Sequence, residues 1–374
     1  LQNLGNWQRE YADETHYLNA RLSQLDDGNR LDLQRGNQII RWQQRLRILQ
    51  VRHPIEIAPE AVQSYGYEGL RQNLVEQFAA LSRAERQLWL NNFLFIMTPD
   101  LRSLSEKLNL VRQYRRLGQQ RNFLIGGASG MGKTTCLDWF AAQYPARVEA
   151  TRNHVPVIKI DAPVSNQSPK PLFQRILLEG GLTYTRADSE EDLLMKMALL
   201  FQKCETELLI VDEIEHITRS RLRRRLLEIS NLTSGLPIVC TSCHPLRWVE
   251  GDAEVAGRWN DYFELRQYTG ERLRQLLVFL ELLLPFTQAS HLAAVQLTDE
   301  KGNIIDGPAY LIEQWTGGIL RDIMLLIMEA SQRALEQDLP CLTLPLLRQT
   351  WKSIQFRQIT NFLPGETPER RSAL

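Results

Sequence analysis

The sequence predicts an α/β fold: a parallel five-stranded sheet covered by helices, with further helical segments before and after it. Three observations lead there. Short apolar runs recur between residues 121 and 268 and alternate with helical stretches. That alternation implies right-handed crossovers and a parallel sheet covered on both faces. The first run leads into a glycine-rich loop and then a helix. Outside this region the apolar spacing is helical on both sides.

The first segment, 1–120, reads as helical throughout. "HYLNARLSQL" and "GNQIIRWQQRLRILQ" place apolar residues at helical spacing, and "RHPIEIAPEAV" breaks the run with two prolines. "SRAERQLWLNNFLFIM" opens on a cap candidate, Ser82, and "TPDLRSLSEKLNLVRQYRR" opens on Thr98 and Pro99. Strands are then expected in "RNFLIGG", "VPVIKIDAP" (155–163), "ELLIVDE" (207–213), "LPIVCTS" (236–242) and "YFELRQY" (262–268). Helices are expected at 133–143, 170–180, 189–204, 219–231 and near 245–250. From 270 to 357 the chain reads as a small helical bundle. Within it "QLTDEKGNIIDG" has the form of a hairpin with Gly302 and Asn303 at the turn. The tail, "LPGETPERRSAL", is expected to be mobile.

Composition bounds the function. A chain of 374 residues holds about two or three domains. Apolar residues at 43% and charged residues at 24% fit a globular protein with a core. Lys+Arg and Asp+Glu both number 44, so wholesale electrostatic binding to nucleic acid is not implied and any such binding needs a local patch. Cysteines at 136, 204, 240, 243 and 341 make no disulfide framework and fit a reducing cytosol. No signal peptide is visible, and because the chain starts at Leu1, residues upstream are expected to be missing. The longest apolar run, "LLVFLELLLPF", is too short to span a bilayer, so no membrane partner is expected.

The pattern G-x-x-x-x-G-K-S/T is met by Gly127, Ala128, Ser129, Gly130, Met131, Gly132, Lys133 and Thr134, with Thr135 following. It follows a predicted strand and opens a predicted helix, the context in which such a loop holds phosphates. Glycines let the backbone wrap close to a phosphate, and the helix N-terminus offers free N–H groups to an anion. Lys133 would reach the β- and γ-phosphates, and Thr134 would ligate Mg²⁺. "LLIVDEIEH" puts Asp212 and Glu213 at the C-terminal edge of a strand, where ligands sit in parallel sheets. Asp212 would hold Mg²⁺, and Glu213 would polarise the attacking water. The chain has no N-K-x-D guanine signature, so ATP is preferred to GTP.

The next strand ends in "CTSCH". Thr241 and Ser242 are both candidates for orienting the lytic water, and Ser242 is favoured. Cys240 and Cys243 form a C-x-x-C pair without a second pair or a well-spaced histidine set, so a structural reading outweighs zinc or redox. Arg258 in "EVAGRWNDYFEL" and Arg321 in "GGILRDI" could each stabilise γ-phosphate charge in the transition state, the first from a neighbouring subunit and the second from the same chain. A surface ion pair is the ordinary alternative for each.

"GGASGMGKTT", "LLIVDEIEH", "IVCTSC", "AGRWNDYFEL" and "TGGILRDI", followed by a helical lid, resemble an AAA+ ATPase with a P-loop NTPase core. More narrowly, the chain resembles the TniB/TnsC family of transposition ATPases, which regulate target choice in Tn-seven-like and CRISPR-associated transposons. The likeness covers 86–357. Its more specific parts are the entry helix "LVRQYRRLGQQRNFLIGGASGMGKT", the element "SPKPLFQRIL" and the lid motif "GGILRDI".

The expected domain plan is 1–85 a helical N-terminal extension, whose basic stretch "RGNQIIRWQQRLRILQVR" could meet an adaptor or DNA, 86–269 the nucleotide-binding core with entry helices, 270–357 a helical lid, and 358–374 a flexible tail. The resemblance implies ATP bound with Mg²⁺ between subunits, and a ring, such as a heptamer, or a filament on double-stranded DNA with little sequence preference. It implies a TniQ-like targeting adaptor and a transposase as partners, in the bacterial cytoplasm. Gly127 to Thr135 would be the nucleotide loop, Asp212 and Glu213 the acidic pair, Arg258 the finger acting in trans, Arg321 the second sensor, and Lys170 a DNA contact.

Two departures stand out. The N-terminal segment is longer than in compact members, so its role is not carried over. The helix after the acidic pair, "TRSRLRRRLLE", is unusually basic. Its Arg219, Arg221, Arg223, Arg224 and Arg225 could touch DNA phosphates or a neighbour's nucleotide, with Arg223 the DNA candidate. A solvated helix face is the commoner meaning of such a run. The competing functions are an origin-recognition-like initiator or loader, which would normally bring a winged-helix reader after the lid, and a signalling NTPase with an N-terminal interaction module.

Overall fold

The structure, a computed structural model, describes residues 69–72, 74–93, 96–115, 122–148, 153–164, 168–217, 220–233, 235–250, 252–259, 261–298 and 301–362. The expectations for "HYLNARLSQL", "GNQIIRWQQRLRILQ", "RHPIEIAPEAV" and the tail lie outside the described residues, as do Arg219 and the side chain of Arg221. The chain divides into two compact units. One contains Met97–Arg266, and the other joins Pro54–Ile96 to Gln267–Leu374.

The sheet lies in the first unit. Its strands are β1 (Phe123–Gly126), β4 (Val157–Asp161), β5 (Leu208–Asp212), β6 (Ile238–Ser242) and β7 (Asp261–Glu264), in the five-stranded order β4-β5-β6-β1-β7. All pairings are parallel. Strands β1, β5 and β6 are buried at every position, because a central strand covered on both faces has no solvent side. The edge strand β7 alternates half-buried and exposed residues instead. A short antiparallel ribbon, β2 (Arg147–Val148) with β3 (Asn153–His154), was not legible in the sequence pattern.

The crossover helices fill in around the sheet: α3 (Lys133–Ala142), α4 (Lys170–Glu179), α5 (Glu190–Lys203) and α6 (Ser220–Leu232), then the short α7 (Pro245–Val249) and α8 (Ala253–Arg258). Ser189 and Asp192 close a capping box on α5. Phe173, Ile176, Met197 and Phe201 from α4 and α5 bury against Ile158 and Leu209 of the sheet. The entry helix α2 (Pro99–Tyr114) starts where Thr98 accepts from Leu101 N, with Pro99 at the first helical position. Near its end Arg112 pairs with Glu207, and its guanidinium lies 4.1 Å from the Tyr144 ring centre.

The register aligns the C-terminal ends of the strands. Gly126 pairs with Ser242 on one side and Glu264 on the other, and Asp161 pairs with Asp212. The loops carrying chemistry therefore leave the sheet from one edge, where ligands bind in open α/β sheets.

The second unit contains α1 (Arg83–Phe93), α9 (Gly270–Leu283), the hairpin β8 (Gln296–Thr298) with β9 (Ile304–Asp306), α10 (Pro308–Thr316), α11 (Leu320–Glu336) and α12 (Leu344–Phe362). Gly302 sits in the hairpin turn at φ +83°. The division differs from the expected boundary at 86, which falls inside α1. That helix belongs with the helices of the second unit for a packing reason. Trp89 Nε1 donates to Leu283 O at 2.9 Å, its ring meets Phe78 edge-on, and Leu90 is fully buried. Ser82 and Glu85 cap the helix reciprocally, Ser82 N to Glu85 Oε2 at 2.7 Å and Glu85 N to Ser82 Oγ at 3.3 Å. Helix α12 also runs beyond the expected lid end at 357, to Phe362.

Candidate nucleotide site

The loop between β1 and α3 has the backbone of a phosphate cradle. Gly127, Gly130 and Gly132 take φ values of 142°, 84° and 87°, which favour glycine. A Cβ on Gly127 would lie 2.6 Å from the carbonyl oxygen of Leu265, so a side chain is excluded there. Met131 is buried and anchors the loop, while Ser129, Thr134 and Thr135 are exposed at its rim. Gly132 is the N-cap of α3 and has no side chain to satisfy the first N–H groups of the helix. Those groups and the helix dipole suit an anion. The Lys133 ammonium folds over the loop, donating to Gly127 O at 2.6 Å and Ala128 O at 3.0 Å, with Cys243 Sγ at 3.7 Å.

The acidic pair meets this loop directly. Asp212 is buried to 1% exposure at the end of β5. Its Oδ2 accepts from Thr134 Oγ1 at 2.7 Å. Its Oδ1 accepts from Thr241 Oγ1 in a short hydrogen bond and from Glu213 N at 3.0 Å. Glu213 itself takes a left-handed backbone, φ 58° and ψ 44°, which turns its largely exposed carboxylate out of the strand. The His216 imidazole lies beside it, with Nε2 3.9 Å from Oε2.

Mg²⁺ takes hard oxygen donors, commonly one carboxylate plus phosphates and waters. A hydroxyl and a carboxylate already converge at 2.7 Å beside the phosphate loop, so the residues fit that ion.

Lys159 of β4 completes the acidic surroundings. Its Nζ lies 2.8 Å from Asp138, 3.3 Å from Asp161 and 3.8 Å from Asp212 Oδ2. Burial works to lower its pKa, but the hydrogen bond and charge of Asp138, with Asp161 and Asp212 behind, carry it above the ordinary lysine value.

Several sequence candidates are placed differently from expectation. Ser242 accepts from His244 N at 3.0 Å and is engaged in the turn after β6. The hydroxyl that touches the acidic pair is Thr241, which also lies 3.1 Å from Glu213 N as its acceptor. Successive strand residues point to opposite faces, so only one of the two can meet Asp212. Lys170 donates its ammonium to Asp188 O at 2.8 Å and is half-buried. The Asp188 carboxyl is held at about 2, by the hydrogen bond from Lys196 first and by Thr185 next.

Arg223 donates to Trp248 O at 2.6 Å and to Glu250 O at 3.4 Å, joining α6 to α7. Arg224 pairs with Asp252, and Arg225 with Glu228, Glu190 and Glu191. The described part of the basic helix is thus engaged within its own unit. Arg258 ends α8, exposed, next to a buried Trp259 that packs edge-on against Trp248 at 5.1 Å. Arg321 is 63% exposed at the start of α11 and pairs with Asp322 at 3.1 Å. Ahead of it, Gly318 O accepts from Tyr268 N at 2.8 Å, and a Cβ on Gly318 would strike Tyr268 O.

Cys240 is buried within β6, and burial pushes its thiol well above the usual range. No group of three or more potential metal ligands occurs among the described residues. The C-x-x-C spacing is accounted for by the strand and the turn after it.

Residues 86–264 match the family model for the bacterial TniB protein. Over this stretch, just under half of its length, the chain is similar to the TniB family. The matched stretch contains the whole phosphate loop, the acidic pair and the five strands of the parallel sheet. No curated protein matches the chain. Among solved structures, the Aeropyrum pernix ORC2 protein (ADPNP-ADP complexes) is similar at 16% identity, over 76% of this chain and 73% of that one, with a TM-score of 0.49. The Aeropyrum pernix ORC1 protein in complex with DNA is similar at 16% identity, over 75% and 72%, also at 0.49. The Thermotoga maritima RuvB Holliday junction branch migration motor is similar at 16% identity, over 67% and 68%, at 0.39. At such identities and TM-scores these likenesses add no weight to the assignment. No described helix is long and apolar enough to cross a membrane.

Proposed function

We propose that the chain is an ATP-dependent regulator of DNA transposition that assembles on double-stranded DNA in the bacterial cytoplasm. It would link a TniQ-like target-selection partner to a transposase. The observation that carries the reading is the meeting of Thr134 with Asp212, beside Lys133 and Glu213, within the stretch that matches TniB.

The loop N–H groups and Lys133 bind the β- and γ-phosphates of ATP. Thr134 and Asp212 would hold Mg²⁺, which would neutralise charge on those phosphates. Glu213 accepts the proton of the attacking water, and its left-handed backbone presents the carboxylate outside the strand end. Thr241 fixes Asp212 and the Glu213 peptide relative to each other. Arg258, from a neighbouring subunit, and Arg321, from the chain's own lid, are proposed to stabilise charge on the γ-phosphate.

Formal neutrality means that a monomer offers DNA only local positive charge. A ring or filament multiplies a few contacts per subunit into useful avidity. ATP then favours the DNA-bound polymer, and hydrolysis releases it. The test is ATP turnover in Mg²⁺ with and without duplex DNA. Mg²⁺-dependent turnover that DNA alters supports the reading. The absence of any turnover or nucleotide binding would sink it.

A further inference from the structure

The ammonium of Lys159 sits among three carboxylates on three different elements: Asp138 of α3, Asp161 of β4 and Asp212 of β5. Lys159 and Asp161 are two residues apart on a strand, so both face the same side of the sheet. Asp138 is four residues beyond Thr134 on α3, so the two share a helix face. The lysine stem therefore runs from the sheet to the helix that carries the phosphate loop, and its charge ends beside the carboxylate meant for the metal. Its side chain is only 10% exposed, which screens the ammonium from bulk salt.

We propose that Lys159 is a positioning residue for this site: a built-in cation that balances Asp212 in the nucleotide-free protein and thereby sets how much Mg²⁺ the site demands. This rests on the nucleotide reading above. A divalent ion arriving at Asp212 meets the repulsion of a fixed positive charge a few ångströms away. Removing that charge makes the site bind Mg²⁺ more tightly. It also leaves three carboxylates facing each other whenever the metal is absent.

The experiment measures binding of a fluorescent ADP analogue to the full chain as Mg²⁺ is titrated, and thermal unfolding in EDTA. Lys159→Met is expected to lower the Mg²⁺ midpoint by about three- to tenfold. It should also lower the melting temperature in EDTA more than in saturating Mg²⁺ and ADP. Lys159→Arg, which keeps the charge, should return the midpoint to within about twofold of the original. Lys159→Gln serves as a second neutral variant if the Met variant does not fold.

A midpoint that stays unchanged or rises in the neutral variants overturns the inference, as does an equal loss of melting temperature in both conditions. If the unaltered chain binds no nucleotide at any Mg²⁺ concentration, the functional reading falls and takes this inference with it. If it binds normally and the neutral variants fail to show the lowered Mg²⁺ midpoint, the inference alone is lost.

Discussion

Thr134 Oγ1 donates to Asp212 Oδ2 at 2.7 Å, joining the first turn of the loop helix to the end of β5. Two groups far apart in sequence thus present oxygens to one point. Thr134→Val removes the hydroxyl at nearly constant shape. It is expected to weaken Mg²⁺-dependent nucleotide binding at least about tenfold. Binding measured in EDTA should change little. Titration of a nucleotide analogue with and without Mg²⁺ checks this, and equal losses in both conditions would contradict it.

Glu213 holds a backbone conformation that costs a non-glycine residue about 1–2 kcal/mol. Strain of this kind at a site is maintained by its surroundings, here the hydrogen bonds from Glu213 N. Glu213→Gln should lower hydrolysis at least about 10²-fold while leaving ATP binding intact. Glu213→Asn should also lose hydrolysis, but with an unchanged or higher melting temperature, because asparagine enters the left-handed region more readily. A lower melting temperature for the Asn variant would show that the strain argument is wrong.

Thr241 and Ser242 are adjacent but differ in what they touch. Thr241→Val takes one donor from the buried Asp212 carboxylate and should cost about 1–3 kcal/mol of stability. It should also reduce hydrolysis, since Glu213 N loses an acceptor. Ser242→Ala leaves only His244 N without its partner and should have the smaller effect on turnover. Steady-state rates and denaturant unfolding of the two variants decide between them. A larger catalytic loss for Ser242→Ala would reverse the assignment.

Arg223 tethers α6 to the carbonyls of α7, with its guanidinium 5.9 Å from the Trp248 ring centre. Arg223→Met should destabilise the protein by about 1–3 kcal/mol and leave the salt dependence of DNA binding unchanged. An unaltered melting temperature together with a salt slope reduced by about 1 would instead put Arg223 on a phosphate.

The sheet was legible because its central strands are continuous apolar runs, each ending in polar or glycine residues at the C-terminal edge: Gly127 after β1, Asp212 and Glu213 at the end of β5, and Ser242 closing β6. The phosphate loop was legible because its glycines have a conformational reason to be glycine. Other features depend on tertiary placement that local pattern does not encode. Lys159 looks like the solvated position of an edge strand, and only the register of β4 with β5 brings it to Asp212. The choice between Thr241 and Ser242 turns on which face of β6 each occupies, a one-residue question that apolar spacing leaves open. The arginines of α6 looked like a uniform basic face until the carbonyls of α7 and the acids of α5 were placed beside them. Helix α1 sits next to the core in sequence but buries Leu90 in the second unit.

Whether ATP drives assembly on DNA is decided by mass photometry of the Glu213→Gln chain with short duplex DNA. With ATP and Mg²⁺, a multi-subunit DNA-bound species is expected that disperses as salt rises, is absent with ADP, and is not formed by Lys133→Ala. A chain that stays monomeric on DNA in every nucleotide state, or assembles equally without nucleotide, would contradict ATP-driven assembly.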